Sequence, residues 1–235
     1  MPNLKICYQI ITDEPALKSF IEWLPELSPN EKFYTCLFSR KKYCRDAPWI
    51  KSDKTQMKRF LTDKSRMLDK IKQLECPIGA FSYDGKAIPQ ESLALYITPN
   101  PRDMWKAVPR SIKALATVIE CSGKNSNPHQ EVMSEIHRTC GQKVFIDFDI
   151  DSKDREIIKQ AVNLVDGKCE LLETRGGYHL MIKTKDAKAG FSEKLWYKKL
   201  TALADVSADP NSMIALPGTW QGGFTPRFVD SSSFL

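Results

Sequence analysis

The chain has 235 residues, 42% hydrophobic and 27% charged, with a formal net charge of +6 and a pI near 8.8. That length supports one large domain or two closely joined halves around a proper core. A mean hydropathy of −0.38, with no apolar run approaching about 18 residues, argues against a transmembrane helix.

The first twenty residues carry Asp13 and Glu14 soon after their apolar stretch and lack the succession of basic start, apolar stretch and small-residue cleavage site, so no signal peptide is expected. Seven cysteines, an odd number without repeated spacing, point to reduced thiols in a cytosol-like compartment. The positive charge favours an anionic partner only weakly, because many basic proteins bind no nucleic acid. There is no internal repeat and no low-complexity tract.

In chain order, residues 4–11 predict a strand and 14–24 a helix ending before Pro25. A second strand is predicted over 32–39. Met57, Phe60, Leu61, Met67, Leu68, Ile71 and Leu74 recur at helical spacing, which predicts a helix over 54–74. Residues 91–98 predict a buried strand stopped by Pro99-Asn100-Pro101. A helix over 102–119 places Met104, Trp105, Val108, Ile112, Leu115 and Ile119 on one stripe, with Pro109 inside it. Residues 121–128 predict a loop and 129–138 a short helix. Then come a strand (143–150), a helix (154–165), two strands (169–174 and 178–184), a helix (191–204) and short strands with turns over 206–229. Alternating strands and helices place the chain in the α/β or α+β class.

Strand side chains alternate faces, so Asp147 and Asp149 share one face while Val144, Ile146, Phe148 and Ile150 share the other. Paired carboxylates repel unless a positive charge sits between them. A hard divalent cation meets that need, and two such ions can clamp both oxygens of a phosphoryl transfer. A solvated, charge-protected strand edge is the alternative. Asp151 continues the same parity past the expected strand end.

In Thr174-Arg175-Gly176-Gly177-Tyr178-His179, small residues leave backbone N–H groups open to a phosphate, and Arg175 offers a charged fork to the same anion. His179 shares parity with Lys183, while Tyr178, Leu180 and Ile182 take the opposite face. A hairpin turn with a hydrogen-bonded histidine is the plainer reading.

Together, Ile146-Asp147-Phe148-Asp149, Gly177-Tyr178-His179 and Val206-Ser207-Ala208-Asp209, followed by Met213-Ile214-Ala215-Leu216-Pro217-Gly218-Thr219, resemble the archaeo-eukaryotic primase (primase-polymerase) superfamily over residues 143–229. The resemblance implies an α+β fold: an N-terminal α/β half (1–120) packed on an RRM-like catalytic half (143–235), in a single catalytic domain. It implies that Asp147, Asp149 and Asp209 hold Mg²⁺ or Mn²⁺ and that His179 contacts the triphosphate of an incoming nucleotide, with Arg175, Gly177 and Lys183 as further nucleotide contacts. The implied reaction is attack of a 3′-hydroxyl on the α-phosphate, with loss of pyrophosphate. The sequence departs from the family at Ser212 and Ala215, where basic residues are frequent, and at Gln221, where a His is common. Arg175, Lys183 or Arg227 are the candidates to compensate.

Two further features lie outside those motifs. Cys121, His129, His137 and Cys140, just before the catalytic strand in segment 121–142, form a candidate Zn²⁺ set, since zinc favours four N/S ligands. The spacing fits no compact zinc signature, and surface histidines with buried thiols are the alternative. Arg40, Lys41, Lys42 and Tyr43, with Arg45 and Trp49 nearby, interleave cations for phosphates with rings for bases, as a single-stranded DNA template requires. A solvated loop is the alternative. Arg102, Lys106 and Arg110 add charge on one predicted helix face.

The expected function is therefore template-directed nucleotidyl transfer with nucleoside triphosphates as substrates. A separate helicase or accessory primase subunit is the expected partner, and no membrane is. The location would be cytoplasmic or nucleoid-associated, with a viral or plasmid origin in keeping. A non-catalytic replication initiator that kept the fold, and a metal nuclease, are the competing readings.

Overall fold

The computed structural model describes residues 6–120, 127–208 and 213–235. It is an α+β molecule whose described residues form two five-stranded antiparallel sheets and a small two-stranded hairpin. Its elements are α1 (Glu14–Trp23), β1 (Glu31–Ser39), β2 (Thr55–Thr62), α2 (Lys64–Lys72), β3 (Ser82–Tyr83), β4 (Lys86–Ala87), β5 (Leu93–Ile97), β6 (Arg102–Asp103), α3 (Met104–Glu120) and α4 (Pro128–His137). There follow β7 (Phe145–Ile150), α5 (Arg155–Asn163), β8 (Glu170–Glu173), β9 (Tyr178–Lys183), α6 (Thr184–Ala189), α7 (Trp196–Thr201), β10 (Val206–Ala208), β11 (Ile214–Ala215) and β12 (Arg227–Val229). Among the described residues no helix is long and apolar enough to cross a membrane.

The first sheet runs β11-β5-β1-β2, with β6 pairing the start of β1. The second runs β10-β7-β9-β8-β12. Its chain path, strand–α5–strand–strand–helices–strand, is a split β-α-β arrangement, with the first and third of its strands, β7 and β9, at the centre. Period-two alternation divides the second sheet's apolar residues. Ile146, Phe148, Ile150, Leu171, Leu180 and Ile182 pack against α5 and α7 through Ile158, Val162 and Leu200. Phe145, Leu172 and Met181 point the other way and join the core of the first half, with Leu17, Phe20, Leu37 and Leu95.

One buried side chain fastens that junction. The Asn100 carbonyl oxygen accepts from the N–H groups of Val144 and Phe145, both at 2.8 Å, and its amide donates to the Phe145 carbonyl at 2.8 Å. The Pro99-Asn100-Pro101 stop that ends β5 thus supplies a strand-like partner to the first residue of β7.

Three predicted elements are corrected. The helix expected over 54–74 is a strand followed by a shorter helix, with Asp63 between them accepting from the Arg66 N–H at 3.1 Å as an N-cap. Met57 and Phe60 reach the core from β2, while Met67 and Ile71 reach it from α2, so two elements jointly mimic one helical stripe. The strand expected over 4–11 is reduced, among described residues, to isolated bridges at Cys7 and Ile11. Side chains satisfy its backbone instead: Glu75 Oε1 accepts from Ile10 and Ile11, and Gln90 Oε1 accepts from Gln9. The helix expected over 191–204 is only α7. Gly190 at φ +88° closes α6 before it, and Leu195 is 59% exposed. Most of the apolar stripe on α3 is outward: Trp105, Val108, Ile112 and Ile119 are exposed, Met104 and Leu115 are half-buried, and Ala107 is the helix's buried residue.

Asn100→Ala leaves two N–H donors and a carbonyl at a buried junction without their partner. A loss of about 2–4 kcal/mol is expected in urea unfolding. Retention of wild-type stability would show that Asn100 does not fasten the halves.

Candidate active site

Strand alternation puts Phe145, Asp147 and Asp149 on the face of β7 that looks toward the first half. Phe145 seals that face at one end, and Asp149 reaches the surface at the other. Asp147 pairs in register with Met181, and Asp149 with His179. The His179 ring therefore lies beside both carboxylates: Nδ1 is 3.2 Å from each oxygen of Asp147, and Nε2 is 3.8 Å from Asp149 Oδ1. The side chain of Asp147 is 3% exposed and that of Asp149 44%.

Burial opposes charge on His179, but Asp147, through its charge and its hydrogen bond, together with Asp149 and Asp151, outweighs it and raises the imidazole to about 9. Burial pushes the Asp149 carboxyl up; His179 pulls it down, and the neighbouring Asp151 and Asp147 push it up again, leaving it raised. Asp147 and Asp149 thus flank one imidazolium beside a cleft, with Asp151 near enough for its charge to act on both His179 and Asp149. The two carboxylates offer hard oxygen donors of the kind a divalent cation takes, as a pair and not as a gathered group of three among the described residues.

The facing wall comes from the first half. Arg40, Lys42, Tyr43 and Tyr96 line the same cleft as Asp149, Asp151, His179, Thr174 and Gly176. The Arg40 guanidinium donates to the Tyr96 hydroxyl at 2.6 Å and lies 5.7 Å from the Tyr43 ring centre. Arg175, from the turn between β8 and β9, sits 4.6 Å above the same ring, and Lys42 lies 5.6 Å from it. Burial and the adjacent Tyr96 push the Tyr43 hydroxyl well up, so it stays protonated.

Gln221 joins these parts. Its side-chain amide donates to the hydroxyls of Tyr43 and Tyr96, both at 3.2 Å, and its carbonyl oxygen accepts from the Arg175 N–H at 2.8 Å. It is 3% exposed. The next residue, Gly222, has φ +56°, and a Cβ there would lie 2.5 Å from both Arg175 Nη1 and the Tyr43 ring. Gln221 and Phe224 bond each other's backbones across Gly222 and Gly223, both at positive φ, as in a type I′ turn. Gly177 is constrained as well, because a Cβ would run into the Ile150 carbonyl oxygen.

Of the residues singled out in the sequence, the structure gathers Asp147, Asp149, His179, Arg175, Arg40, Lys42 and Tyr43. Asp209 and Ser212 lie outside the described residues, and β10 ends at Ala208, opposite Phe148. Lys183 stands at the far end of β9, ion-paired to Glu170 at 3.2 Å and away from the cleft. Arg227 is held by Glu173 at 3.0 Å. Lys41 is exposed beside the cleft. The basic face expected from Arg102, Lys106 and Arg110 is not one surface. Arg102 is buried in β6 and donates to the Thr139 carbonyl, Lys106 bonds the Cys140 carbonyl, and Arg110 pairs with Glu135.

For the zinc set, Cys121 lies outside the described residues. His129 and His137 occupy opposite ends of α4, eight residues and therefore about 12 Å of helix rise apart, too far to share one ion. His137 packs on the Tyr34 ring at 4.8 Å. Among the described residues, no group of three or more His, Cys, Asp or Glu is gathered as for a metal.

Tyr96 was not singled out in the sequence. Thr174 stood at the head of the glycine-flanked motif, Asp151 on the parity of Asp147 and Asp149, and Gln221 as a departure from the family pattern, but none of these signals tells what the glutamine touches.

Two outcomes follow from this geometry. The raised His179 contributes stability that is complete below its ordinary value near 6.5 and lost as pH rises through about 9. Metal-chelated protein should lose on the order of 3 kcal/mol across that interval. His179→Asn should be weaker at neutral pH and flat over it; a wild-type slope in the variant would assign the dependence elsewhere. Gln221→Ala should cost about 1–2 kcal/mol, from the lost bonds to the Tyr43 and Tyr96 hydroxyls and the Arg175 N–H, with Tyr96 still held by Arg40, and release Tyr43. An unchanged urea midpoint would show that the two walls hold without it.

Set against protein-family models, curated proteins and solved structures, the chain matches none.

Proposed function

We infer that the protein is a template-dependent nucleotidyltransferase, a DNA primase-polymerase of the archaeo-eukaryotic type. The observation that carries this reading is the convergence of Asp147, Asp149 and His179, on the central strands of a split β-α-β sheet, with Arg40, Lys42, Tyr43 and Arg175 across one cleft. In this reading that sheet is the RRM-like catalytic half.

Asp147 and Asp149, with Asp209, would hold Mg²⁺ or Mn²⁺. When bound, the ions neutralise the phosphates and activate the attacking 3′-hydroxyl. The chain's own contribution is position and charge. His179, fixed by Asp147, keeps its ring oriented and offers a positive N–H to a phosphate oxygen. Arg40, Lys42 and Arg175 supply cations opposite the carboxylates, so a triphosphate would meet these side chains on one side and the cation that the carboxylates would hold on the other. Gly176 and Gly177 keep the turn above His179 narrow enough for a backbone approach. Single-stranded DNA is the template, nucleoside triphosphates are the substrates, and a helicase or accessory subunit would deliver the strand.

One observation favours a second reading, a replication initiator that binds DNA without synthesis. Ala215, where the family often carries a basic residue, is fully buried in β11 and offers nothing to a triphosphate.

The test supplies single-stranded DNA, nucleotides and Mg²⁺ or Mn²⁺, with and without a primer. Metal-dependent products are expected, falling roughly 10²–10³-fold in Asp147→Asn and Asp149→Asn. DNA binding without synthesis under any of these conditions would replace the enzyme with the initiator.

A further inference from the structure

Charge is unevenly distributed along this chain. Residues 40–59 hold eight Lys and Arg against Asp46 and Asp53, a local net charge of +6 that equals the charge of the whole protein. None of the eight makes an ion pair with a carboxylate among the described residues, whereas lysines elsewhere do: Lys18, Lys32, Lys64, Lys72 and Lys183 each have an acidic partner. Arg40 and Arg59 are half-buried, and the other six are exposed. Such a concentration of like charge raises the energy of the folded state unless an anion lies along it.

This segment has a direction. It starts in the cleft, where Arg40 and Lys42 stand on the Tyr43 ring. The Lys42 N–H is tied to Asp53 at 2.7 Å, which draws the end of the loop back beside its start. The chain then enters β2, whose first residue, Thr55, pairs with Ser39. β2 is the open edge of the first sheet. Beside that edge is a polar groove lined by residues 54–57, 80–83 and Gln130, among them the half-buried rings of Phe81 and Tyr83. Lys54 is exposed and lines the groove, and Lys58 is exposed farther along the strand.

We propose that single-stranded nucleic acid does not end at the cleft but continues over Lys42 onto the β2 edge. Its phosphates are held by Lys54 and Lys58, and a base lies against Tyr83. The proposal rests on the cleft being the nucleic-acid site described above and adds the route of the strand beyond it. Spaced cations with rings between them suit an unpaired strand, because phosphates recur along its backbone and every base offers a face for stacking. A duplex would keep its bases stacked inside and leave Tyr83 without a role.

The measurement is fluorescence anisotropy with labelled single-stranded DNA of about 20 and about 5 nucleotides, over a series of salt concentrations. Wild type is compared with Lys54→Glu/Lys58→Glu and with Lys185→Glu/Lys188→Glu, the same charge change on α6. The edge variant should bind the longer strand at least about tenfold more weakly and lower the slope of log K against log salt by about 1.4, as expected for two phosphate contacts. The shorter strand, confined to the cleft, and the α6 control should change less than about twofold. Equal affinity of wild type and edge variant for the longer strand would overturn the route, and so would an equal loss for the shorter strand or in the α6 control. The two readings fail separately. Route-dependent binding without synthesis removes the enzyme and keeps the route, whereas synthesis with an edge variant that binds like wild type removes the route and keeps the enzyme.

Discussion

The molecule depends on one seam, where the second sheet lays a single face against the core of the first half. Asn100 fixes the start of β7 there with three hydrogen bonds, and Phe145, Met181 and Leu172 fill the space behind it. The same strand face then turns polar. Phe145 is 2% exposed, Asp147 6%, and the Asp149 side chain opens to solvent. The seam is dry at one end and wet at the other, with the acidic residues at the crossover. Carboxylates there are desolvated enough for their charge to act strongly, yet Asp149 stays reachable. Holding them costs free energy, which the imidazolium of His179 offsets in part.

The two walls of the cleft carry opposite charge. Acidic groups come from the second half through β7, and cations come from the first half through the segment after β1. Tyr43 keeps the cations from scattering, because its ring meets Arg175 on a close approach while its hydroxyl is bonded through Gln221. An arginine stacked on a ring retains free N–H groups at its rim, so this packing leaves Arg175 able to bind an anion. The arrangement is preorganised by neutral contacts rather than by salt bridges, which would quench the very charges it presents.

How much of this was legible in the sequence follows from the range of each interaction. The alternation in Phe145–Ile150 and Tyr178–Lys183 is local, and it put the two aspartates on one face of their strand and His179 with Lys183 on one face of theirs; that these faces coincide is set by the pairing of Asp149 with His179. The hairpin and its glycine turn were equally local. Period alone failed where two elements shared one stripe, as in β2 and α2, and the capping residue Asp63 was the overlooked sign of a boundary. It failed again at α3, whose apolar side is mostly outward. What the sequence could not disclose was partnership across distance. Tyr43, Tyr96 and Gln221 stand 53 and 125 residues apart in successive steps, yet their polar atoms meet. Lys183 shows the converse: correct parity with His179 did not bring it to the same site, because two pleats along a strand is too far.

The open edge of β2 has a consequence for the company the protein keeps with itself. An edge strand of eight residues, paired with β1 on one side and open on the other, is a template on which a second copy could add its own strand. Lys54 and Lys58 would confront their counterparts in such a pairing, and like charges face to face disfavour it. The lysines that attract a polyanion therefore also keep two molecules apart, and salt, which screens both effects, trades one protection against the other.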